Sequence, residues 1–435
     1  MSITILAADG DVNKVTVDGI EWTYMVLSEA NKTCKIGVSE LKYSDTHDEC
    51  YWDNVKLAID VNTTGAISIP SKLNDYTVVA IAEGAFIDCQ ITSVTIPEGI
   101  SLDEGRAFVN CDNLTSVQLP EGLTSTGLAT FHSCRKLQSI NLPSTLVSIE
   151  DETFESCESL KKIVLPENLI FIGKEAFKKC SAITEIIIPA KVEFVHSSAF
   201  RLCNSLTSLS VNEGNTTYDS RDNCNAIIET ATNKLVGNLP SATTIPSFVK
   251  IIGAYLFEGS NITSIDIPEG VTAIEKGAFA SSNLNTISFP NTLTSIGDGA
   301  FGRCKNLTTI ILPASLTTIG NDAFEECKKL KDVYNLSTIP QIIDSNYSFS
   351  TGYTDGLVYG ATLHVLPSCK AAYQAANVWK NFSNIVEDAV PAGIKTNCKP
   401  VQRIKSRYTL DGRYSSNDKG ITIIRMGDGS VKKIL

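Results

Sequence analysis

The sequence predicts a right-handed solenoid, β-rich, built of stacked parallel strands joined by short turns or 3-10 segments. Three observations predict it. First, an Ala-Phe pair or a close variant recurs at Phe86, Phe108, Phe131, Phe154, Phe177 and Phe200, and again at Phe257, Phe279, Phe301 and Phe324, spaced by 22 or 23 residues within each run. Second, eight of these ten Phe are followed three positions later by Cys (89, 111, 134, 157, 180, 203, 304 and 327), with Ser260 and Ser282 in the other two units. Third, an aliphatic alternation ends in Pro, as in Leu160-x-x-Ile163-x-Leu165-Pro166, and the step from each such Pro to the next Phe is always 11 residues. Length variation is thereby confined to the segment between Phe and Pro, and one coil geometry is kept throughout.

The alternation Leu-x-x-Ile-x-Leu is the strand of a leucine-rich repeat. One unit of 23 residues, with Ile163 and Leu165 on a strand, Leu169 and Ile172 on a second extended piece and Phe177 and Cys180 on a turn, encloses no core alone. Stacked units share one. Pro ends each strand because it has no N–H to continue a ladder. Two units depart from the pattern, placing Asp103 and Thr126 where the others have an inward aliphatic. Asp103 is either a functional buried carboxylate or, the reading favoured by the cost of burying an unpaired charge, the result of a local shift that turns Leu102 inward.

An open solenoid exposes strand edges and apolar surface, so both ends need caps. Residues 1–65 are expected to form an N-terminal β cap, with Val15-Thr-Val-Asp-Gly-Ile20 as strand and turn, and 66–387 the solenoid. The long gap between Phe200 and Phe257 reads as two coils plus an insertion at about 212–245. Ile227-Ile228, between polar turn-rich stretches, suggests a hairpin bulging from the rod. At the far end Leu363-His-Val-Leu-Pro367 is expected as the last strand. A helical cap follows at about 368–387: Ser368 N-caps Lys370–Ala376, bringing Trp379, Phe382 and Ile385 over the final coil. Pro391, Gly393 and Pro400 mark 388–400 as a linker, and 401–435 as a small β module with Asp-Gly turns around Gly420-Ile-Thr-Ile-Ile-Arg425.

Composition excludes several classes. Forty-eight acidic against 37 basic residues, a formal net charge of −11, argue against a nucleic-acid partner. With 43% hydrophobic and 20% charged residues the chain is globular rather than disordered. No apolar run reaches the roughly 18–20 residues of a membrane span. The first residues lack the basic flank and length of a secretory signal, so for an exported protein the native signal peptide is expected to be absent from this chain.

The repeat cysteines are expected to be reduced, buried, small apolar side chains, since Ser replaces two of them. Cys34, Cys50, Cys224, Cys369 and Cys398 fall outside the ladder, and a Cys34–Cys50 bridge is left open. Four scattered His, without Cys or carboxylate neighbours at ligand spacing, point to no metal and no cofactor. No phosphate-binding loop, nucleophile elbow or His-Glu-x-x-His occurs. Carboxylate pairs such as Asp103-Glu104 and Glu325-Glu326 fall near turns and single out no catalytic pair.

The outward positions of the strand are mostly small and polar (Thr95, Gln118, Asn141, Ser210, Ser288), a flat surface suited to a broad contact. Val164 and Ile187 interrupt it at matching positions of adjacent coils. Phe171 and Phe194 each precede an inward aliphatic and should also face outward. The four form a candidate binding patch, unless the insertion after residue 212 folds back and covers them.

Ala-Phe-x-x-Cys-x-x-Leu-x-x-Ile-x-Leu-Pro, repeated at 23 residues over about 66–387, resembles the BspA-like leucine-rich repeat surface proteins. Arg221-Asp-Asn-Cys-Asn-Ala-Ile-Ile-Glu229 and Trp379-Lys-Asn-Phe-Ser-Asn-Ile-Val-Glu387 are similar to segments of members from gut and oral bacteria. The resemblance implies a non-catalytic protein, extracellular or on the outer cell surface, that binds an extracellular protein or glycan, in adhesion or host interaction, with no catalytic residue to carry over. The chain is expected to be a monomer. The alternative is a secreted glycan-binding or hydrolytic protein using the solenoid as a platform, for which an acidic pair in a cleft near the insertion would be diagnostic.

Overall fold

A computed structural model describes residues 8–39, 55–345, 347–350 and 359–388, and the backbone of 422–425 and 431–434. The chain is a β-solenoid of about 14 turns with parallel strands and almost no helix. Each coil has three sides: a strand face, a second strand face and the Phe-x-x-Cys corner.

The corner is an aromatic column in two runs. Phe86, Phe108, Phe131, Phe154, Phe177 and Phe200 stack face to face at centroid distances of 4.8–5.7 Å. Phe257, Phe279, Phe301 and Phe324 continue the arrangement at 5.0–5.3 Å. The column is closed by residues outside the repeat motif: Trp22 sits edge-on to Phe86 at the N-terminal end, and Phe349 stacks on Phe324 and meets Trp379 at the other. Between columns the backbone is stitched forward. The amides of Phe131 and Ser133 donate to the carbonyls of Thr153 and Glu155 in the next coil. This geometry holds Ser133 at φ 59°, and the same left-handed position recurs at Ser156, Lys179 and Leu202.

On the first strand face Gly65–Ser68, Ile91–Thr95, Ser116–Gln118 and Ser139–Asn141 form a four-stranded parallel sheet, as their period-2 burial requires. Near its C-terminal end Thr309–Leu312, Asp332–Asn335, Tyr359–Val365 and Phe382–Glu387 form another. The second face carries two-residue strands such as Ser148–Ile149, Phe171–Ile172 and Phe194–Val195.

Asp103 is exposed and Leu102 fully buried, so the local shift is what occurs. Thr126 is fully buried yet satisfied: its Oγ1 accepts the Glu150 amide (3.1 Å) and pairs with Thr153 Oγ1 (2.9 Å). A buried hydroxyl is tolerated because a neighbouring coil supplies the partner.

The insertion differs from expectation. Ala226–Glu229 and Lys234–Asn238 do form an antiparallel hairpin, but it does not bulge; it is built into the second-face sheet, where Lys234–Asn238 pairs in parallel with Ile251–Ile252. The gap holds two passages of the strand face, at Ser208–Val211 and at Thr244, which bridges Asp266, but no corner between them. The corner at Phe257 meets that at Phe200 directly, since Ser197 Oγ donates to Ala254 O (2.5 Å) and Arg201 pairs with Glu258. Ile227 and Val236 pack into the N-terminal core, Ile228 and Leu235 into the C-terminal one. A hairpin apolar on both faces divides the core and is buried by both halves.

At the N-terminus Val12–Val17 and Ile20–Ser28 pair through a turn at Asp18-Gly19, where φ is 50° and 79°. Thr33–Ile36 then joins Tyr76–Ile81 in parallel. At the C-terminal end the helix runs Lys370–Ala375, but Cys369 is its N-cap and Ser368 lies in the left-handed region, so Ser368 does not cap it. Tyr359–Val365 is not the last strand; Phe382–Glu387 adds beyond it. Trp379, Phe382 and Ile385 are buried. Residues 389–400 of the linker and Tyr408–Arg413 lie outside the described residues, while Thr422–Arg425 and Val431–Ile434 pair antiparallel.

Candidate binding surface

The ladder of the strand face is interrupted at residues 161–166. Residues 161–166 form no strand, and among the described residues no backbone hydrogen bond joins them to Ser139–Asn141 on one side or to Glu185–Ile188 on the other. Glu185–Ile188 has one ladder partner, Ser208–Val211. The opening is confined to this face. At the corner of the same coil Phe154 and Phe177 remain 5.4 Å apart, and on the second face Ser148–Ile149 still pairs with Phe171–Ile172.

A cavity of about 420 Å³ occupies the opening, in the range of ligand pockets. Val164 and Ile187 are on its walls, with Lys161 and Lys162 on one side and Thr184 and Glu185 on the other. Val164 is 68% and Ile187 49% exposed, against 7% for Ile163 and 1% for Ile186, so the alternation of extended backbone presents the first pair to solvent. The two line one cleft instead of lying on paired strands.

Phe171 and Phe194 occupy the second face, aligned by the register of Phe171–Ile172 with Phe194–Val195 and stacked at 5.1 Å. Phe194 is 44% exposed and Phe171 half-buried. Neither lines the cavity. The candidate patch is thus two apolar pairs on two faces of the same coils. The insertion, absorbed into the sheet, leaves Val164, Ile187 and Phe194 open.

Near the insertion two acidic groups, Asp219 and Glu258, are already engaged. Asp219 accepts from Arg221 and Thr230, and the Arg221 guanidinium holds its carboxyl below the usual range. Glu258, beside a cavity of about 50 Å³, is paired with Arg201.

The ladder thiols Cys89, Cys111, Cys134, Cys157, Cys180, Cys203, Cys304 and Cys327 are buried and unbridged, as are Cys34 and Cys369. Cys50 and Cys398 lie outside the described residues. The thiols are more than small apolar groups: Cys111, Cys134, Cys157, Cys180 and Cys203 each donate to the carbonyl of the preceding coil's Phe at 3.0–3.3 Å. Ser at this position keeps the donor as well as the size. No helix among the described residues is long and apolar enough to cross a membrane.

Comparison with known proteins agrees with this architecture. A pneumococcal vaccine antigen, PcpA, superposes with a TM-score of 0.54 at 18% identity, covering 88% of this chain and all of the antigen's. A leucine-rich cell surface protein of Faecalibacterium prausnitzii gives 0.54 at 21%, covering 85% and 99%, and a leucine-rich repeat protein of Eubacterium ventriosum 0.57 at 20%, covering 88% and 98%. These likenesses establish the fold. No curated protein sequence matches the chain. The model of the BspA type leucine-rich repeat region matches in six copies, over residues 79–207, 124–234 and 228–354. With well over half of its length matched, the chain belongs to the BspA-type leucine-rich repeat family of bacterial cell-surface proteins.

Proposed function

We propose that this protein binds an extracellular protein, in adhesion or host contact and without catalysis, through the solenoid face opened between residues 161–166 and Glu185–Ile188. The observation that carries the proposal is the pair Val164 and Ile187, exposed on the walls of one cavity while their chain neighbours Ile163 and Ile186 are buried. Exposed apolar side chains that converge on a concave site release ordered water when covered, which isolated surface hydrophobics do not. The flanking lysines and Glu185 supply a polar rim of the kind that surrounds such contacts.

The test is a binding screen of the purified chain against immobilised extracellular matrix proteins, with a glycan array as a second arm. A partner should be found among the proteins, and Val164→Ser with Ile187→Ser should weaken it at least tenfold while the melting curve is unchanged. A partner bound equally by the double variant overturns the assignment of this face, and binding only on the glycan arm favours the glycan-binding alternative.

A further inference from the structure

Away from the cleft, at the aromatic corner, a column of charged side chains stacks coil on coil. His132, Glu155, Lys178 and Arg201 each follow a ladder Phe, and Glu152 and Glu175 each precede one by two residues. Lys178 Nζ lies 2.8 Å from Glu155 Oε1 and 2.7 Å from Glu175 Oε2, and Arg201 pairs with Glu258 and approaches Glu175 at 3.8 Å. Four carboxylates therefore face two permanent cations. The uncompensated charge sits at the His132 end, where among the described residues the ion-pair neighbour of the Glu152 carboxylate is His132.

The geometry there is that of ligands around a gap. Glu152 Oε2 and Glu155 Oε2 are each 3.9 Å from His132 Nδ1, too far for a hydrogen bond. All three ligand atoms lie within 4.8 Å of one another. The Glu155 side chain is nine-tenths buried; its Oε1 pairs with Lys178, and its Oε2 is the oxygen 3.9 Å from His132 Nδ1.

We propose that His132, Glu152 and Glu155 bind a divalent transition-metal ion, of which Zn²⁺ and Mn²⁺ are representative. Metal–ligand bonds of about 2.1 Å place tetrahedral ligands roughly 3.4 Å apart, so the two contacts of 3.9 Å close with about half an ångström of movement and the Glu152–Glu155 separation, within 4.8 Å, with at most about 1.4 Å. Glu152, a third exposed on a turn, supplies it. An ion would provide the positive charge that this end of the column lacks. One imidazole nitrogen with two carboxylates suits a transition ion better than Ca²⁺ or Mg²⁺, which prefer all-oxygen shells. Coordination through Nδ1 requires the tautomer with its proton on Nε2. Three protein ligands leave room for water at a partly exposed site, on a different side of the coil from the cleft.

The experiment titrates the full chain with Zn²⁺ by calorimetry and with Mn²⁺ by the loss of the free-ion paramagnetic resonance signal. Co²⁺ is the third probe, because thiolate ligation would add a charge-transfer band that a His and carboxylate set lacks. One equivalent should bind, without that band, and His132→Ala and Glu152→Gln should each weaken binding by at least ~100-fold, more than loss of an outer-shell partner does. Both positions are partly exposed, and melting curves verify the variants' fold. No binding of Zn²⁺ or Mn²⁺ at millimolar concentration, binding with the thiolate band, or binding that both variants retain overturns the proposal.

Discussion

The thiol of Cys157 donates to the carbonyl oxygen of Phe131, one coil back, at 3.3 Å, and that oxygen also accepts the amide of Cys134 at 3.2 Å. The contact ties the side-chain ladder to the backbone ladder, which explains why a residue that is small, apolar and a weak donor fills the position. Cys157→Ser, which keeps the donor, should cost less than Cys157→Ala, which should destabilise by about 1–2 kcal/mol. Ser260 is the internal control: its buried hydroxyl has no partner, so Ser260→Ala should be neutral or stabilising. Denaturant titrations of the three variants decide this.

Burial pushes the thiols of Cys89 and Cys203 up to about 12, from an ordinary value of 9.0. Between the two values the unfolded chain has released these protons and the folded chain holds them. The folded state then binds more protons, and stability falls as pH rises. Their contribution is complete below about pH 9 and is lost through pH 12. Melting temperature measured against pH should decline over that window, and Cys203→Ser should make the decline shallower. At neutral pH both thiols should resist alkylation until the chain unfolds. Rapid labelling of either in the native state would contradict the buried ladder.

The corner column was legible in the sequence because each coil repeats its chemistry at fixed spacing from Pro to Phe. Trp22 and Phe349, which extend it, were not, since neither lies in an Ala-Phe-x-x-Cys context. The hairpin at Ala226–Asn238 was recognisable as a hairpin, but its integration was not: apolar residues on both faces fit a bulge and a partition equally until both cores are seen. Exposure of Val164 and Ile187 followed from strand alternation. The cleft between them did not, because Leu160–Pro166 keeps the repeat pattern while its backbone leaves the ladder. His132 and Glu155 looked unrelated in sequence, yet their separation of 23 residues is one coil, and that spacing was the available signal.

Ile186 and Ile187 are neighbours on one strand with opposite fates, 1% and 49% exposed. Ile187→Ser should change stability by no more than about 0.5 kcal/mol, as surface substitutions do. Ile186→Ser empties a core site and adds a hydroxyl there, and should cost about 2–5 kcal/mol. Equal effects in chemical denaturation would mean that the strand faces the other way and that the proposed surface is misplaced.

Truncation at the C-terminal end separates two roles. The last described strand of the solenoid, Phe382–Glu387, pairs with Tyr359–Val365, and Asp388 adds a contact to His364 Nδ1 at 2.8 Å. Phe382 and Ile385 are buried, and Trp379 is fully buried with its Nε1 donating to Gln341 O at 2.8 Å. The final coil is thus covered before residue 389, and removing 401–435 should leave the thermal midpoint of the solenoid within a degree or two, since no buried solenoid group is lost. Trp379→Ala should instead cost about 3–5 kcal/mol, because it opens a cavity beside Phe349, Phe382 and Tyr373 and leaves the Gln341 carbonyl without its donor. If the truncation lowers the midpoint as much as Trp379→Ala does, residues 401–435 are part of the cap, and the solenoid does not end where its last buried aromatic does.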